Sequence, residues 1–577
     1  MRRVVLCTGF VLGVAASLIA DSNLQIVDVG LHGYLGTPSA VRVIVRNPSA
    51  QAQTIHLQIA ASSESDATNT ISTDVSLTGG DHRELEMPIL MPGGKTLVTA
   101  DATVEGGTVF GHDKYEGLLR RNNLIALMCA SDSACKTVQS QIQFGGTMEE
   151  RVDKNRQIVF EIVNDPRDHW WAYSAARAIV LARPMTEFTP AQRSALEGFL
   201  RRGGHLVLLE DQIADPNFLS AYRQGPAAPR GEHVGKGTLV RISGLSANEL
   251  GNVFVGQNLQ GFLNQVYATN LDPTGWLSRR FATAFDFPRL RWILIWLAIY
   301  TIMIGVLNFA VLRRLHRLEL GWISVCVLAL LFAAGFYLSS ASRRPKSFRL
   351  DNLATYYLDS RSPLAVADYN LRISAPDRQD VLVSVADAAV FTSSNFAEEE
   401  QNGEIWSEIN RQAARERRTY DIRLGPPSQI EVSMLKWSFH DLNLEGIHEF
   451  PGTVHFVAPN RLRNDTDRRF DEAAYLDYGA NALYALPPLM PGEEISLDAI
   501  TPKPIYAKDG TFQARNFANA DSRNQTLQEA AAGVAFPFAR AGRAFAGLSD
   551  GPALPVELNV PHQRSVHSLI VVALGQP

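Results

Sequence analysis

Cysteine is scarce in this chain, with four in 577 residues, and that excludes a fold held together by a disulfide framework. Cys7 falls in the first residues and Cys326 in a long apolar run, which leaves Cys129 and Cys135. In an oxidising compartment these two can pair across a short loop; the alternative is two buried thiols. None of the 13 histidines lies in a His-Glu-x-x-His motif or at a His/Cys spacing suited to zinc. A Walker loop and a dinucleotide fingerprint are also missing, so neither a cofactor nor a metal is expected. Excess basic charge is absent too: 54 Lys and Arg stand against 59 Asp and Glu, a net charge of −5. Such a balance offers no positive field for nucleic acid.

Long charge-free stretches are what the chain does have. Trp292–Leu312 and Leu320–Ala341 are long apolar runs without a charged residue and are separated by the seven residues Arg313–Glu319. About 20 such residues suffice to cross a ~30 Å hydrocarbon core as a helix, which pairs every backbone polar group internally. So short a connection predicts a tight antiparallel membrane hairpin, with helices at 290–312 and 320–341. Membrane lipid is therefore an expected partner.

Orientation is read from the N-terminus. Arg2-Arg3, the apolar Val4–Val14 and the small residues of Ala15–Ala20 form a secretory signal over 1–20. With residue 22 onward exported, the hairpin dips in and returns. Both large soluble regions then lie in the periplasm, anchored in the inner membrane by two spans. Arg313, Arg314 and Arg317 in the short loop agree with a cytoplasmic loop, although Arg289, Arg291, Arg343, Arg344 and Lys346 flank the outer ends.

Residues 21–115 read as an immunoglobulin-like β-sandwich, because Val41–Arg46 and Thr54–Ile59 alternate with period two and turn residues separate them. The pattern changes over 116–265. Asn123–Ala130 is nearly all apolar, as a strand buried on both faces must be. Strands at Gln157–Val163, Ala178–Ala182 and His205–Leu209 follow, with a helix from Thr189-Pro190 to Arg202 stopped by Gly203-Gly204. That alternation predicts a parallel α/β layer. Residues 343–577 form an extracytoplasmic β-rich region, with polar stretches at 394–418 and 509–528. Pro88–Gly93 and Pro487–Gly492 share Pro-x-Leu-Met-Pro-Gly, a tight turn before the next strand in each sandwich.

The order of parts resembles a group of bacterial membrane-anchored envelope proteins. They combine a β-sandwich, a degenerate class I glutamine-amidotransferase-like domain, a transmembrane hairpin and a β-rich tail. The residues that carry the resemblance are Asp168–Tyr173 before the strand Ala178–Ala182, Gln192 through Phe199–Val207, Gly235–Val240, and Tyr300, Gly305, Asn308, Leu312–Arg314, Leu318–Leu320 and Trp322. It implies this architecture and no particular reaction.

An active amidotransferase needs a cysteine on a sharp strand-to-helix turn and a histidine to take its proton. Here the strand His205–Leu209 runs into Glu210-Asp211-Gln212, so no catalytic residue is expected. The alternatives to a catalytically empty domain centre on the loop after Gln157–Val163, together with Glu210. Asp165, Asp168 and His169, with Glu210, lie at carboxyl ends of strands, where α/β domains place ligands. They are candidates for a ligand site or for a periplasmic hydrolase or metal-dependent enzyme. Trp170 and Trp171, with Tyr173, are candidates for a glycan-stacking platform, provided the rings are exposed. Against these stands the reading of a loop packed onto the sheet. The leading expectation is a non-catalytic, membrane-anchored scaffold or accessory subunit that holds other envelope or transporter proteins.

Overall fold

The computed structural model describes residues 23–31, 38–63, 68–91, 95–104, 107–118, 123–144, 158–213, 215, 218–222, 232–242, 290–342, 346–385, 389–392, 421–425, 427–436, 438–505, 542–550 and 556–574. The expected signal at 1–20, the end of the α/β region at 243–265, and the polar stretches 394–418 and 509–528 lie outside the described residues.

Most of the described chain is β-structure. A nine-stranded sheet is built wholly from the C-terminal region. At its centre Phe348–Asp359 pairs antiparallel with Ser362–Ser374 and parallel with His562–Ala573. An eight-stranded sheet faces it and draws on both ends of the chain. Gln53–Ser63, Thr68–Leu77, Lys95–Val104 and Thr108–Leu118 come from the N-terminal region, and Gln379–Val385, Asp421–Arg423, Ser428–Met434 and Val556–Leu558 from the C-terminal one. The two sets join where Asp421–Arg423 runs parallel to Thr70–Ser72. A three-stranded sheet of Leu24–Val29, Pro38–Arg46 and His82–Leu90 packs into the same core.

One continuous hydrophobic cluster therefore contains Ile55, Leu57 and Val98 together with Leu350, Tyr369, Val383 and Ile570. The sequence reading of two separate sandwiches, over 21–115 and after 343, differs from this arrangement. Alternation marks each strand as half-buried, but which strand lies beside it is a long-range choice that local periodicity does not encode. The turn expected at Pro487–Gly492 is present: Gly492 takes φ +75 and Glu493 N donates to Met490 O at 3.1 Å. A positive φ at that position favours glycine.

The α/β part is a six-stranded sheet in the order Glu232–Val234, Gly237–Ile242, His205–Leu209, Ala176–Ala182, Asn123–Cys129, Ile158–Ile162. All neighbours are parallel except the closing hairpin of 232–242. The helices Asp132–Phe144 and Pro190–Arg202 cover opposite faces, the first over Ile125, Leu127 and Val180, the second over Ala126, Ile179 and Leu206. Thr189 caps Pro190–Arg202 through a reciprocal pair with Gln192, and Gly203 ends it at φ +129. Cys129 and Cys135 form a disulfide between the first strand and the first helix, with Cα atoms 5.4 Å apart.

Two helical segments are long and apolar enough to cross a membrane, Leu294–Arg314 and Leu318–Leu338. They run antiparallel, with Leu312 against Gly321 at the closed end and Trp296 and Tyr300 edge-on to Phe332 further along. Asn308 lies on the half-buried side of the first segment, as Tyr300 and Ile304 do. A π-helical turn occupies Met303–Leu307, and Gly305 within it faces open space.

Candidate functional site

The loop that leaves Ile158–Ile162 is held from inside by Tyr173. Its hydroxyl accepts from Arg167 N at 2.6 Å and donates to Arg167 O at 3.3 Å, and its ring meets Phe199 edge-on at 6.1 Å. Burial pushes this phenol far above its ordinary range, so it stays protonated. Gln192 Nε2 donates to Pro166 O at 3.0 Å and ties the loop to the helix Pro190–Arg202. The loop is packed onto its domain, and its outward side chains reach other parts of the molecule.

Asp165 ion-pairs with Arg42 of the three-stranded sheet, which also engages Glu84. Arg167, which is buried, pairs with Asp28 and lies 3.8 Å from Glu86. Burial pushes the Glu86 carboxyl up to about 7, against the pull of Arg167 and Arg42. Trp171 is buried with Ala40 and Ala172. His169 stacks on Trp171 at 5.1 Å, and burial lowers its pKa against the opposing effect of Asp168. Asp168 and His169 stand exposed beside this contact.

Trp170 turns the other way. Arg202 lies over its ring, 5.4 Å from the centroid, and ion-pairs with Glu445 of the nine-stranded sheet. Gly198 makes the approach possible: a Cβ there would come within 2.7 Å of Trp170 Cβ and 2.8 Å of Ile447 Cδ1. One turn of hairpin away, Lys236 pairs with Asp368 and sits 3.9 Å from the Tyr357 ring centroid. Gly235 and Gly237 let this hairpin reach the end of the helix, since a Cβ on Gly237 would meet Leu200 O at 1.9 Å. Burial raises the Asp368 carboxyl despite Lys236. Burial also pushes Glu445 up, but Arg202 and Lys236 together outweigh it and hold that carboxyl below its ordinary range. Tyr222 extends the contact, hydrogen-bonded to Arg201 Nη2 at 2.7 Å and covered by Arg361 at 4.5 Å.

The loop Asp165–Tyr173 is thus the joint of three bodies: its own domain, the three-stranded sheet and the nine-stranded sheet. The structure brings Asp165, Trp170 and Trp171 into that joint. Glu210 is elsewhere. It heads the helical turn after His205–Leu209, 3.7 Å from Arg241, and three strand spacings, about 14 Å, separate its strand from Ile158–Ile162. Among the described residues no group of three His, Cys, Asp or Glu is placed to hold a metal ion.

Sequence reasoning found the loop and missed its partners. Arg42, Glu86, Glu445 and Asp368 lie on alternating strands, where a charge at an outward position is ordinary, and no local signal marks them.

No protein-family model matches the chain. No curated protein is similar to it. Among solved structures, the alkylpurine DNA glycosylase AlkC of Pseudomonas fluorescens aligns at 13% identity and TM-score 0.14, over 17% of this chain and 31% of that one. The β-glucuronidase of Bacteroides uniformis aligns at 10% identity and TM-score 0.15, over 32% and 27%. The native α-2-macroglobulin of Escherichia coli, from domain MG7 to its C-terminus, aligns at 11% and TM-score 0.14, over 74% and 94%. The chain spans less than a third of the length of the first two. At TM-scores this low the likenesses assign neither a family nor an activity.

Proposed function

We propose that the protein is a non-catalytic scaffold or accessory subunit anchored in the inner membrane by its two apolar helices, with both large soluble regions in the periplasm. In this reading it holds envelope or transport proteins together, and its α/β domain is a glutamine-amidotransferase-like fold that has lost its nucleophile. The observation that carries the reading is the use made of the conspicuous loop. Asp165, Trp170 and Trp171 are taken up by Arg42, Arg202 and Ala40, so side chains that would serve a ligand serve the contact between domains. A body built to keep three layers in fixed relation suits a protein that presents surfaces to partners.

The test is mild-detergent purification of the tagged full-length protein from its native membrane, with stoichiometry read by mass spectrometry. A stoichiometric envelope or transporter partner is expected, and it should persist when the exposed pair is removed by Asp168→Ala with His169→Ala. Recovery of the protein alone, or loss of a biological activity in that double variant with its folding intact, would overturn the scaffold reading.

A further inference from the structure

One end of the nine-stranded sheet is tied to the apolar hairpin by a short stretch of chain. The second long helix ends at Ser342 and the strand Phe348–Asp359 starts six positions later, so the strand begins within about 20 Å of the helix end. Registers then decide which loops share that end. Arg349 pairs with Ser374, Ser374 with Phe439 and Phe348 with His562. The crossings between the nine- and eight-stranded sheets that leave Ser374 and enter Phe439 therefore lie at this tethered end.

Leu435 projects from the second crossing with 52% of its surface exposed. Outside the helical hairpin and its connecting turn, the other exposed large apolar side chains among the described residues are Val27, Val109, Val457 and Met490. Leu435 is held outward by a defined turn. Ser438 donates to Leu435 O from its backbone N at 3.1 Å and from Oγ at 2.7 Å, while Ala375 N donates to Ser438 O at 2.9 Å. Beside it Lys436 is more than half exposed, with Nζ 3.1 Å from the exposed Asp377. Lys346 and Arg378 are exposed at this same end of the sheets. The sequence continues with Trp437, which lies outside the described residues.

An apolar side chain on a fixed turn, flanked by cations and reached by a short tether from an apolar helix, has the chemistry of a tip that enters the lipid headgroup layer. There the side chain leaves water and the cations meet phosphate. We infer that the Leu435–Lys436 turn seats in the headgroup region of the bilayer the hairpin crosses, and so gives the β body a second point of attachment to that bilayer. The occupant is the lipid surface. This inference rests on the membrane reading above.

The test uses the full chain in vesicles of phosphatidylethanolamine and phosphatidylglycerol. An NBD fluorophore is attached to Leu435→Cys in a background of Cys7→Ala and Cys326→Ala. The reference is Val109→Cys in the same background, because Val109 is 71% exposed and lies at the far end of the eight-stranded sheet. Emission from position 435 should be blue-shifted relative to 109 and quenched at least twofold by headgroup nitroxide lipid, with 109 unquenched. Emission at 435 matching that at 109 overturns the inference. A blue shift without lipid quenching also overturns it, since a protein surface would then cover the turn. The native Cys326, exposed on the second helix, is labelled separately and read with acyl-chain nitroxide. No quenching there brings down the membrane reading itself, whereas quenching at 326 with none at 435 removes only the tip.

Discussion

Arg202 sets its guanidinium over the Trp170 ring, 5.4 Å from the centroid, and with the same group holds Glu445 on the nine-stranded sheet. A helix end, a loop from the neighbouring strand and a distant sheet are thereby linked through one side chain. The stability of the molecule as a single body depends on such contacts; three of them, and the disulfide inside the α/β part, are open to direct test.

Gly198→Ala should destabilise the protein by about 1–2 kcal/mol in denaturant unfolding. Alanine inside a helix is otherwise preferred to glycine by ~1 kcal/mol. A net loss would therefore come from the methyl group pressed against Trp170 Cβ and Ile447 Cδ1, at 2.7 and 2.8 Å. Adding Ile447→Val, which removes that Cδ1, should restore part of the loss. A stabilised Gly198→Ala variant would show that the helix does not sit this close to both neighbours.

Arg202→Met leaves the Glu445 carboxylate facing a low-dielectric contact with Lys236 as its remaining cation. The side chains of Arg202 and Glu445 are 18% and 21% exposed, so the loss should be about 2–3 kcal/mol, near the low end for a buried pair broken from one side. Adding Glu445→Gln should cost clearly less than the sum of the single changes, since the two residues act on one another. Thermal unfolding of the four proteins of this cycle reads the coupling.

Glu86 makes the joint sensitive to pH. Its carboxyl is raised from 4.5 to about 7 in the folded protein, chiefly by burial, so the folded state holds the proton more tightly than the unfolded chain does. Its contribution to stability is full below pH 4.5 and is lost as pH rises through 7. The whole effect is on the order of 3 kcal/mol. Glu86→Gln should remove this slope: the difference in melting temperature between the variant and the parent should grow in the variant's favour from pH 5 to pH 8. A difference constant across that range would mean that Glu86 titrates as an exposed carboxyl.

Cys129→Ala with Cys135→Ala opens a loop of only six residues' separation. Closing so short a loop restricts the unfolded chain by about 2 kcal/mol. The double variant should lose about that much, and the parent should fall to the same melting temperature under a reductant that reaches the bond. Thiol labelling of the denatured, unreduced parent should then leave Cys129 and Cys135 unmodified.

Much of the local structure is legible in the chain. Thr189-Pro190 and Gly203-Gly204 mark the ends of a helix because capping and positive φ are properties of those residues themselves. The nearly all-apolar Asn123–Cys129 reads as a strand covered on both sides, and it is one. The loop Asp165–Tyr173 stands out by composition, but its role does not, because the ion partners lie 123 residues away for Asp165 and 243 for Arg202. Exposure of Trp170 and Trp171 could not be judged from the sequence either. Ala40, which covers Trp171, is a small residue in a strand that signals nothing.

By itself the sequence determined the two long apolar helices, the strand and helix periods, the turns and the shortage of metal- or nucleotide-binding motifs. Each follows from chemistry within a few neighbouring residues. Only the tertiary structure decided that Asp421–Arg423 lies beside Thr70–Ser72 and merges the two ends of the chain into one sheet. It also decided that the aromatic loop is a joint between bodies. Strand partners and ion pairs are chosen by closing long stretches of chain around a shared core. That choice is made by the burial of all the faces together, which no single stretch of sequence contains.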